Sequence, residues 1–275
     1  MTVKLIDETP AVRTEGLSKE FGQVRAVSNL ELRVGRGVFY GFLGPNGAGK
    51  STTIKMLTGL LAPSSGSIEI LGLDSLTKRV EVKRQIGVVP EDMALFERLT
   101  GSEFLTFTAR MYGLPRDVSA RRAAELLEFL DLTEAPKKLI ADYSHGMKKK
   151  ISLAAALIHS PRVLFLDEPF EGVDAIAAKT IKNTLQSMIE RGATIFLTSH
   201  VLDIVERLCS HVGIINRGVL VAQGSLEELR RGVSLQSEVS AQPHDQVKLT
   251  LEEIFVELVG TAHGRAEQQL GWLTQ

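Results

Sequence analysis

Apolar positions change their spacing several times along this chain, and each change marks a structural element. The first third opens on short strand-like runs at Arg13 to Ser18, Val24 to Val27 and Leu30 to Val34, separated or followed by Gly22, Gly35 and Gly37. Runs punctuated in this way predict antiparallel neighbours. Val38 to Leu43 is apolar almost without interruption, the pattern of a strand covered on both faces, and a helix is predicted from near Gly49 to about Thr58. Pro, Ser and Gly residues make a turn of Leu60 to Ser67, and Ile68 to Leu71 reads as a further strand.

The middle of the chain loses its strands. Thr100 with Glu103 has the spacing of a capping box and starts a helix that should reach about Tyr112. A second helix, about Ser119 to Leu130, carries Ala123, Leu126, Leu127 and Leu130 on one face. A third follows Tyr143 to Lys150 and runs to about His159, stopping before Pro161, with Met147, Ile151, Ala154 and Ile158 as its apolar stripe. Helices without intervening strands predict a mostly helical subdomain over about 92–160.

Alternation of strand and helix then returns. Strands are expected at Val163 to Leu166, Thr194 to Thr198, Val212 to Ile215 and Val219 to Ala222, all read as parallel-type strands covered by helices. Helices are expected near Ile176 to Arg191, with Ile181, Leu185 and Met188 as its stripe, and at Val201 to Leu208. Gly232 to Val247 is polar and reads as a connector, and Thr250 with Glu253 can cap a short helix to about Val259. The tail beyond is poor in apolar residues apart from Leu270, Trp272 and Leu273. No internal repeat is detectable.

Composition narrows the function classes. The chain has 275 residues, enough for one large or two small domains, and its 32 basic and 33 acidic residues nearly cancel. That balance argues against a nucleic-acid coat. No apolar run approaches the roughly 18 to 20 residues needed to cross a bilayer, and the opening MTVKLIDETP has no apolar signal core. Cys209 is the single cysteine, which excludes an internal disulfide and reads as a packed core thiol. A cytosolic chain is expected.

The chemistry starts at Gly44 to Ser51, which reads GPNGAGKS directly behind the apolar run ending at Leu43. This is the GxxxxGK[ST] pattern in the strand–turn–helix setting that gives it meaning. The backbone N–H groups of Asn46, Gly47, Ala48, Gly49, Lys50, Ser51 and Thr52 are then candidates to cradle the phosphates of a nucleoside triphosphate at a helix N-terminus. Lys50 can neutralise β- and γ-phosphates, and the Ser51 hydroxyl is placed to ligate Mg2+. The second element is VLFLDEP, Val163 to Pro169, with Asp167 positioned to bind magnesium through water and Glu168 to polarise the attacking water as general base.

Ser144 and Gly146 stand at a helix N-terminus, where either a second anion site or a plain capping turn is possible. Lys148, Lys149 and Lys150 read as a solvated helix face rather than a nucleic-acid patch.

The order of these motifs, over roughly Val12 to Glu228, closely resembles the nucleotide-binding domain of the ATP-binding cassette superfamily. The resemblance implies an α/β fold: a P-loop NTPase, RecA-like core with an N-terminal antiparallel β-subdomain and an inserted α-helical signature subdomain. It implies an ATPase domain over 1–231, containing the helical subdomain, and a connector, short helix and tail over 232–275. It implies ATP and Mg2+ as ligands, with Phe21 stacking on adenine; ordinary core packing is the alternative for that ring. Tyr143, Ser144, His145, Gly146 and Met147 match the signature motif, with His145 where the family has glycine. His200 matches the switch histidine that reaches the γ-phosphate, although on residue type alone it reads as a surface or cap histidine. Asp174 matches the aspartate of the loop that crosses the dimer interface, and it also reads as an N-cap. Glu91 replaces the coupling-loop glutamine. Its carboxylate can still ligate magnesium or orient water, while adding negative charge beside the phosphates.

In family terms the cassette is half of a site. A second nucleotide-binding domain, expected to be an identical chain, packs head to tail, so that nucleotide on Lys50, Ser51 and Asp167 of one is covered by Ser144 and Gly146 of the other. The wording GFLGPNGAGKSTT, Glu91 and the closing LTLEEIFVELVG resemble single-cassette subunits of two-component bacterial exporters. The resemblance therefore implies a separate multi-span permease and a place on the cytoplasmic face of the membrane, with no nucleic acid as partner. A soluble mechanical or regulatory ATPase is the alternative. One phosphate loop and the absence of sustained heptads between Lys50 and Ser144 weigh against its ribosomal and DNA-acting forms.

Overall fold

A computed structural model describes residues 9–132, 138–237 and 249–260. Most of the expected connector, and Leu270, Trp272 and Leu273, lie outside the described residues. The first two strands, β1 (Val12–Phe21) and β2 (Val24–Val34), form an antiparallel pair. The two short runs expected at 24–27 and 30–34 are one strand, bent where Asn29 takes a left-handed φ of 47°. Leu17 faces Leu30 but Lys19 faces Val27, so an extra residue is absorbed there as a bulge.

Next come β3 (Phe39–Leu43), α1 (Lys50–Leu57), β4 (Ser65–Ile70), β5 (Leu73–Asp74), α2 (Arg79–Gln85) and β6 (Ile86–Val89). The sequence reading contained neither α2 nor β6. Strands β2, β1, β4 and β5 make a four-stranded sheet in that order, the antiparallel subdomain expected at the N-terminus.

The helical segment contains α3 (Gly101–Met111), α4 (Arg116–Phe129) and α5 (His145–Leu157). Thr100 and Glu103 form the expected box: the Thr100 hydroxyl accepts from the Glu103 N–H, and the Glu103 carboxylate accepts from the Thr100 N–H at 2.8 Å. Then follow β7 (Val163–Asp167), α6 (Ala175–Glu190), β8 (Thr194–Ser199), α7 (Leu202–Leu208), β9 (His211–Asn216), β10 (Val219–Ser225), α8 (Leu226–Ser237) and α9 (Leu251–Gly260).

The second sheet runs β10-β9-β3-β8-β7-β6. Its β6, β7, β8, β3 and β9 are parallel, but β10 pairs antiparallel with β9 through a tight hairpin at Arg217 and Gly218. The parallel reading of Val219 to Ala222 is therefore corrected. Val219 and Val221 of this edge strand are exposed.

Successive side chains of the central strands point into different cores, as a period of two requires. Leu43, Leu164, Leu166, Ile195 and Leu197 pack against the helical side. Phe42, Phe165, Phe196 and Ile215 pack toward α1 and the antiparallel sheet. There Phe196 gathers Tyr40, Phe42 and Phe165 with ring centroids 5.4, 5.4 and 5.6 Å away. Cys209 is buried in the first core, and burial pushes its thiol pKa up.

Helix α8 runs across residue 231, and α9 packs on the core of the larger sheet: Leu251 and Ile254 are fully buried there, while Arg230 bonds both Glu206 and the Leu249 carbonyl. One further expectation changes. The lysine run is not a solvated face. Helix α5 packs against α3, α4, α6 and β6, so Lys149 and Lys150 are 3% and 6% exposed, and Lys148 pairs with Glu97 at 3.0 Å.

Candidate functional site

Strand β3 delivers the chain into a turn that side chains would block. A Cβ on Gly44 would lie 2.3 Å from the Ile215 carbonyl oxygen, and one on Gly49 would lie 2.6 Å from that of Ala26. Gly47 and Gly49 also take φ of 77° and 108°, conformations that glycine adopts without a Cβ penalty. The turn ends at Lys50, the first residue of α1, so the N–H groups of that helix's first turn have no intrahelical acceptors. The Ala48 N–H is an exception within the loop, being used on the Pro45 carbonyl at 3.1 Å. Lys50 Nζ donates 2.8 Å to the Gly44 carbonyl and lies 3.8 Å from Glu168 Oε1.

The loop opens on a cavity of about 390 Å3 lined by Asn46 to Thr52 together with Ala26, Glu91, Glu168, Glu171 and His200. A larger cavity of about 780 Å3 lies between α4, α5 and α6 and contains none of the expected site residues. Size does not decide between them. The smaller one combines free backbone donors, a lysine and convergent carboxylates, which is the chemistry that phosphate requires.

The carboxylates reach the loop from the ends of two parallel strands. Ser51 Oγ lies 3.3 Å from Asp167 Oδ1 and 3.4 Å from Glu91 Oε2. This hydroxyl and two carboxylates are an all-oxygen set, suited to a hard cation such as Mg2+. Among the described residues no group of three or more His, Cys, Asp or Glu is placed to hold a metal.

Behind them sits Thr198, fully buried. Its hydroxyl donates to Asp167 Oδ1 at 2.6 Å and accepts from the Glu168 N–H at 3.2 Å. Glu168 holds a left-handed φ of 47°, which costs energy for a residue with a Cβ. Its Oε2 lies 3.0 Å from Nδ1 of His200, whose ring is 45% exposed and open to the cavity.

The remaining expected residues lie elsewhere. Phe21 is half exposed, with Lys19 Nζ 5.2 Å from its ring centroid, so core packing is excluded for it. Ser144 caps α5 by accepting from the Met147 N–H at 3.2 Å. Asp174 caps α6 by accepting from Ile176 and Ala177 at 2.9 and 2.8 Å. Gly146 sits against that cap: a Cβ there would meet Asp174 Oδ2 at 3.4 Å. These three do not line the phosphate-loop cavity. His145 opens α5, its Nε2 3.2 Å from the Glu171 carbonyl oxygen.

Sequence reasoning missed Thr198, Glu171 and Lys149. Thr198 stands two residues before His200 in a strand that reads as plain core, Glu171 follows the DEP run without a pattern of its own, and Lys149 is hidden among three lysines.

Comparison with known proteins places these motifs in a wider group. The ABC transporter family profile matches residues 27–171. The linearmycin resistance ATP-binding protein LnrL of Bacillus subtilis is 40% identical over 218 residues, covering 79% of this chain and 70% of that protein. The bacitracin transport ATP-binding protein BcrA of Bacillus licheniformis is 37% identical over 245 residues, covering 89% and 79%. A solved ATP-binding subunit of an ABC transporter superposes with a TM-score of 0.80 at 32% identity, covering 91% of this chain and 99% of that one.

Proposed function

The chain belongs to the ABC transporter family as an ATP-binding, ATP-hydrolysing subunit, and on that premise we propose that it drives an exporter whose permease is a separate chain. Among the described residues no helix is long and apolar enough to cross a membrane. The names of its relatives, a resistance protein and a transport protein, favour efflux of a small molecule. A permease binding this subunit would hold it at the cytoplasmic membrane face.

One observation carries the catalytic reading: the Glu168 carboxylate stands between Lys50 and His200 at the mouth of the phosphate loop. The N–H groups of the loop and Lys50 would bind the phosphates, and Phe21 would take the adenine. A magnesium ion held by Ser51, Asp167 and Glu91 would neutralise charge on the β- and γ-phosphates. Glu168 accepts a proton from water as the water oxygen bonds to the γ-phosphorus and the bond to the β-phosphate oxygen breaks. His200 holds the Glu168 carboxylate toward that water. Positioning and charge stabilisation supply most of the rate in such transfers.

Ser144, Gly146 and Asp174 lie outside the phosphate cavity. That separation supports a head-to-tail dimer of identical chains, in which they close over the partner's nucleotide. Loss of the γ-phosphate on hydrolysis would then release the clamp.

The test is Glu168→Gln. It should bind ATP while turnover falls about 100-fold or more, the usual contribution of a general base. Unchanged turnover would refute the assignment. Captured with ATP from solubilised native membranes, the same variant should bring down a multi-span membrane protein; recovery of soluble partners alone would replace the transport reading with a soluble ATPase.

A further inference from the structure

Lys149 is a charge that the catalytic reading leaves unused, and it touches the backbone of Glu168. Its side chain comes from α5, is almost fully buried, and donates from Nζ to the Glu168 carbonyl oxygen at 3.2 Å. That carbonyl belongs to the residue held at a φ of 47°. Around the phosphate loop stand four carboxylates, Glu91, Glu168 and Glu171 lining the cavity and Asp167 at Ser51, against the single cavity lysine, Lys50. Such an excess repels a polyanionic nucleotide, and more strongly where water is excluded.

Burial holds the Lys149 pKa below the usual lysine range, while Glu171, Glu91, Asp167 and Glu168 act in the opposite direction and favour its ammonium form. An ammonium this buried is expensive unless it is paired and hydrogen-bonded. Here the hydrogen bond is the one to the Glu168 carbonyl oxygen, and the countercharge comes from the surrounding carboxylates at longer range.

We propose that Lys149 is a positioning residue of this site: it clamps the backbone turn that aims Glu168, and its charge offsets Glu91 and Glu171 so that an anionic nucleotide can enter. The inference rests on the cavity being the ATP site. It gives a reason for the burial of Lys149, whose Nζ reaches the Glu168 carbonyl oxygen.

The experiment uses the full chain with Lys149→Met, Glu171→Gln and the double variant, comparing calorimetric binding of the β,γ-imido analogue of ATP with steady-state hydrolysis. Lys149→Met should weaken analogue binding about 10-fold and also lower kcat; tenfold is the effect of one modest charge interaction. Glu171→Gln should tighten binding about 3-fold alone, and in the double variant should return affinity to that of the parent, above the roughly 3-fold weaker value that independent effects would give, leaving kcat low. A merely structural lysine would not be rescued by removing a carboxylate. Wild-type affinity in Lys149→Met, or no rescue in the double variant, overturns the proposal. If Lys149→Met does not fold, Glu171→Gln alone decides: tighter binding supports the charge balance, and unchanged or weaker binding overturns it. Glu168→Gln run alongside separates the two failures. Retained hydrolysis there rejects the site itself, whereas a dead Glu168→Gln with an unaffected Lys149→Met rejects only the role of the lysine.

Discussion

Removing one hydroxyl behind the site should separate its geometry from its binding power. Thr198→Val keeps the shape and β-branching suited to a central strand but deletes the oxygen that donates to Asp167 Oδ1 at 2.6 Å and accepts from the Glu168 N–H at 3.2 Å. Thr198 is fully buried and Asp167 and Glu168 nearly so, so water cannot simply replace the lost partner. A buried polar group left without its bond costs about 1–3 kcal/mol, with charged acceptors at the upper end. The expected loss of unfolding free energy is thus about 2–4 kcal/mol, given one neutral donor and one carboxylate. Catalysis should suffer separately. The Glu168 N–H is tethered through this hydroxyl, and a base displaced by about 1 Å can lose about 100-fold in rate. We expect kcat to fall by about 10- to 100-fold with KM for ATP changed less than about 3-fold, since the phosphate loop is untouched. Thr198→Ser, which retains the hydroxyl, should keep most of the activity. Urea denaturation followed by circular dichroism, with a coupled ATPase assay on the same preparations, tests both. A Thr198→Val protein as stable and as fast as the parent would refute the argument that this hydroxyl organises the two carboxylates.

Gly49→Ala should abolish ATP binding measured by calorimetry, because its Cβ would lie 2.6 Å from the backbone oxygen of Ala26 at a φ of 108°. Leu251→Ala should cost about 2–5 kcal/mol in denaturation, as for other large-to-small core changes, since that side chain is fully buried against the ATPase core; an effect under about 0.5 kcal/mol, the size of a surface change, would mean that α9 is not docked. Cys209, buried with its thiol pKa raised by desolvation, should resist an aromatic disulfide reagent until denaturant is added. Glu253 is held below the usual carboxylate range chiefly by the Thr250 N–H and next by its hydroxyl. A depressed carboxylate adds stability that is present above its unfolded pKa and is lost as pH falls through the folded value. Its NMR titration midpoint should therefore lie below that of a free glutamate and rise partway back in Thr250→Ala.

The parts of this protein legible in its sequence are those made by consecutive residues. Glycines at 44, 47 and 49 act through their own backbone angles and close approaches, so GPNGAGKS specifies its cradle wherever it follows a strand. The Thr100 and Thr250 boxes each join residues three apart. Asp167 and Glu168 follow directly from an apolar strand whose end must face the loop, and all of these were readable as chemistry from the order of residues alone.

Contacts between distant residues follow different rules. Thr198 meets Asp167 across 31 positions and Ser51 meets it across 116, and no local pattern distinguishes that threonine from others in apolar strands. Three lysines in a row read as solvent-facing because a helix alone has an outside, and only the packing of α5 among α3, α4, α6 and β6 removes it for Lys149 and Lys150. Val219 to Ala222 has the apolar content of a central strand, yet a tight hairpin turns it antiparallel onto the edge of the sheet. Local sequence thus determined the phosphate loop, the caps, the strand-end carboxylates and the fold class, because backbone geometry and short-range hydrogen bonds act within a few residues. Tertiary packing alone decided which charges are buried together and which strand ends the sheet, because desolvation is set by whatever the rest of the chain brings alongside.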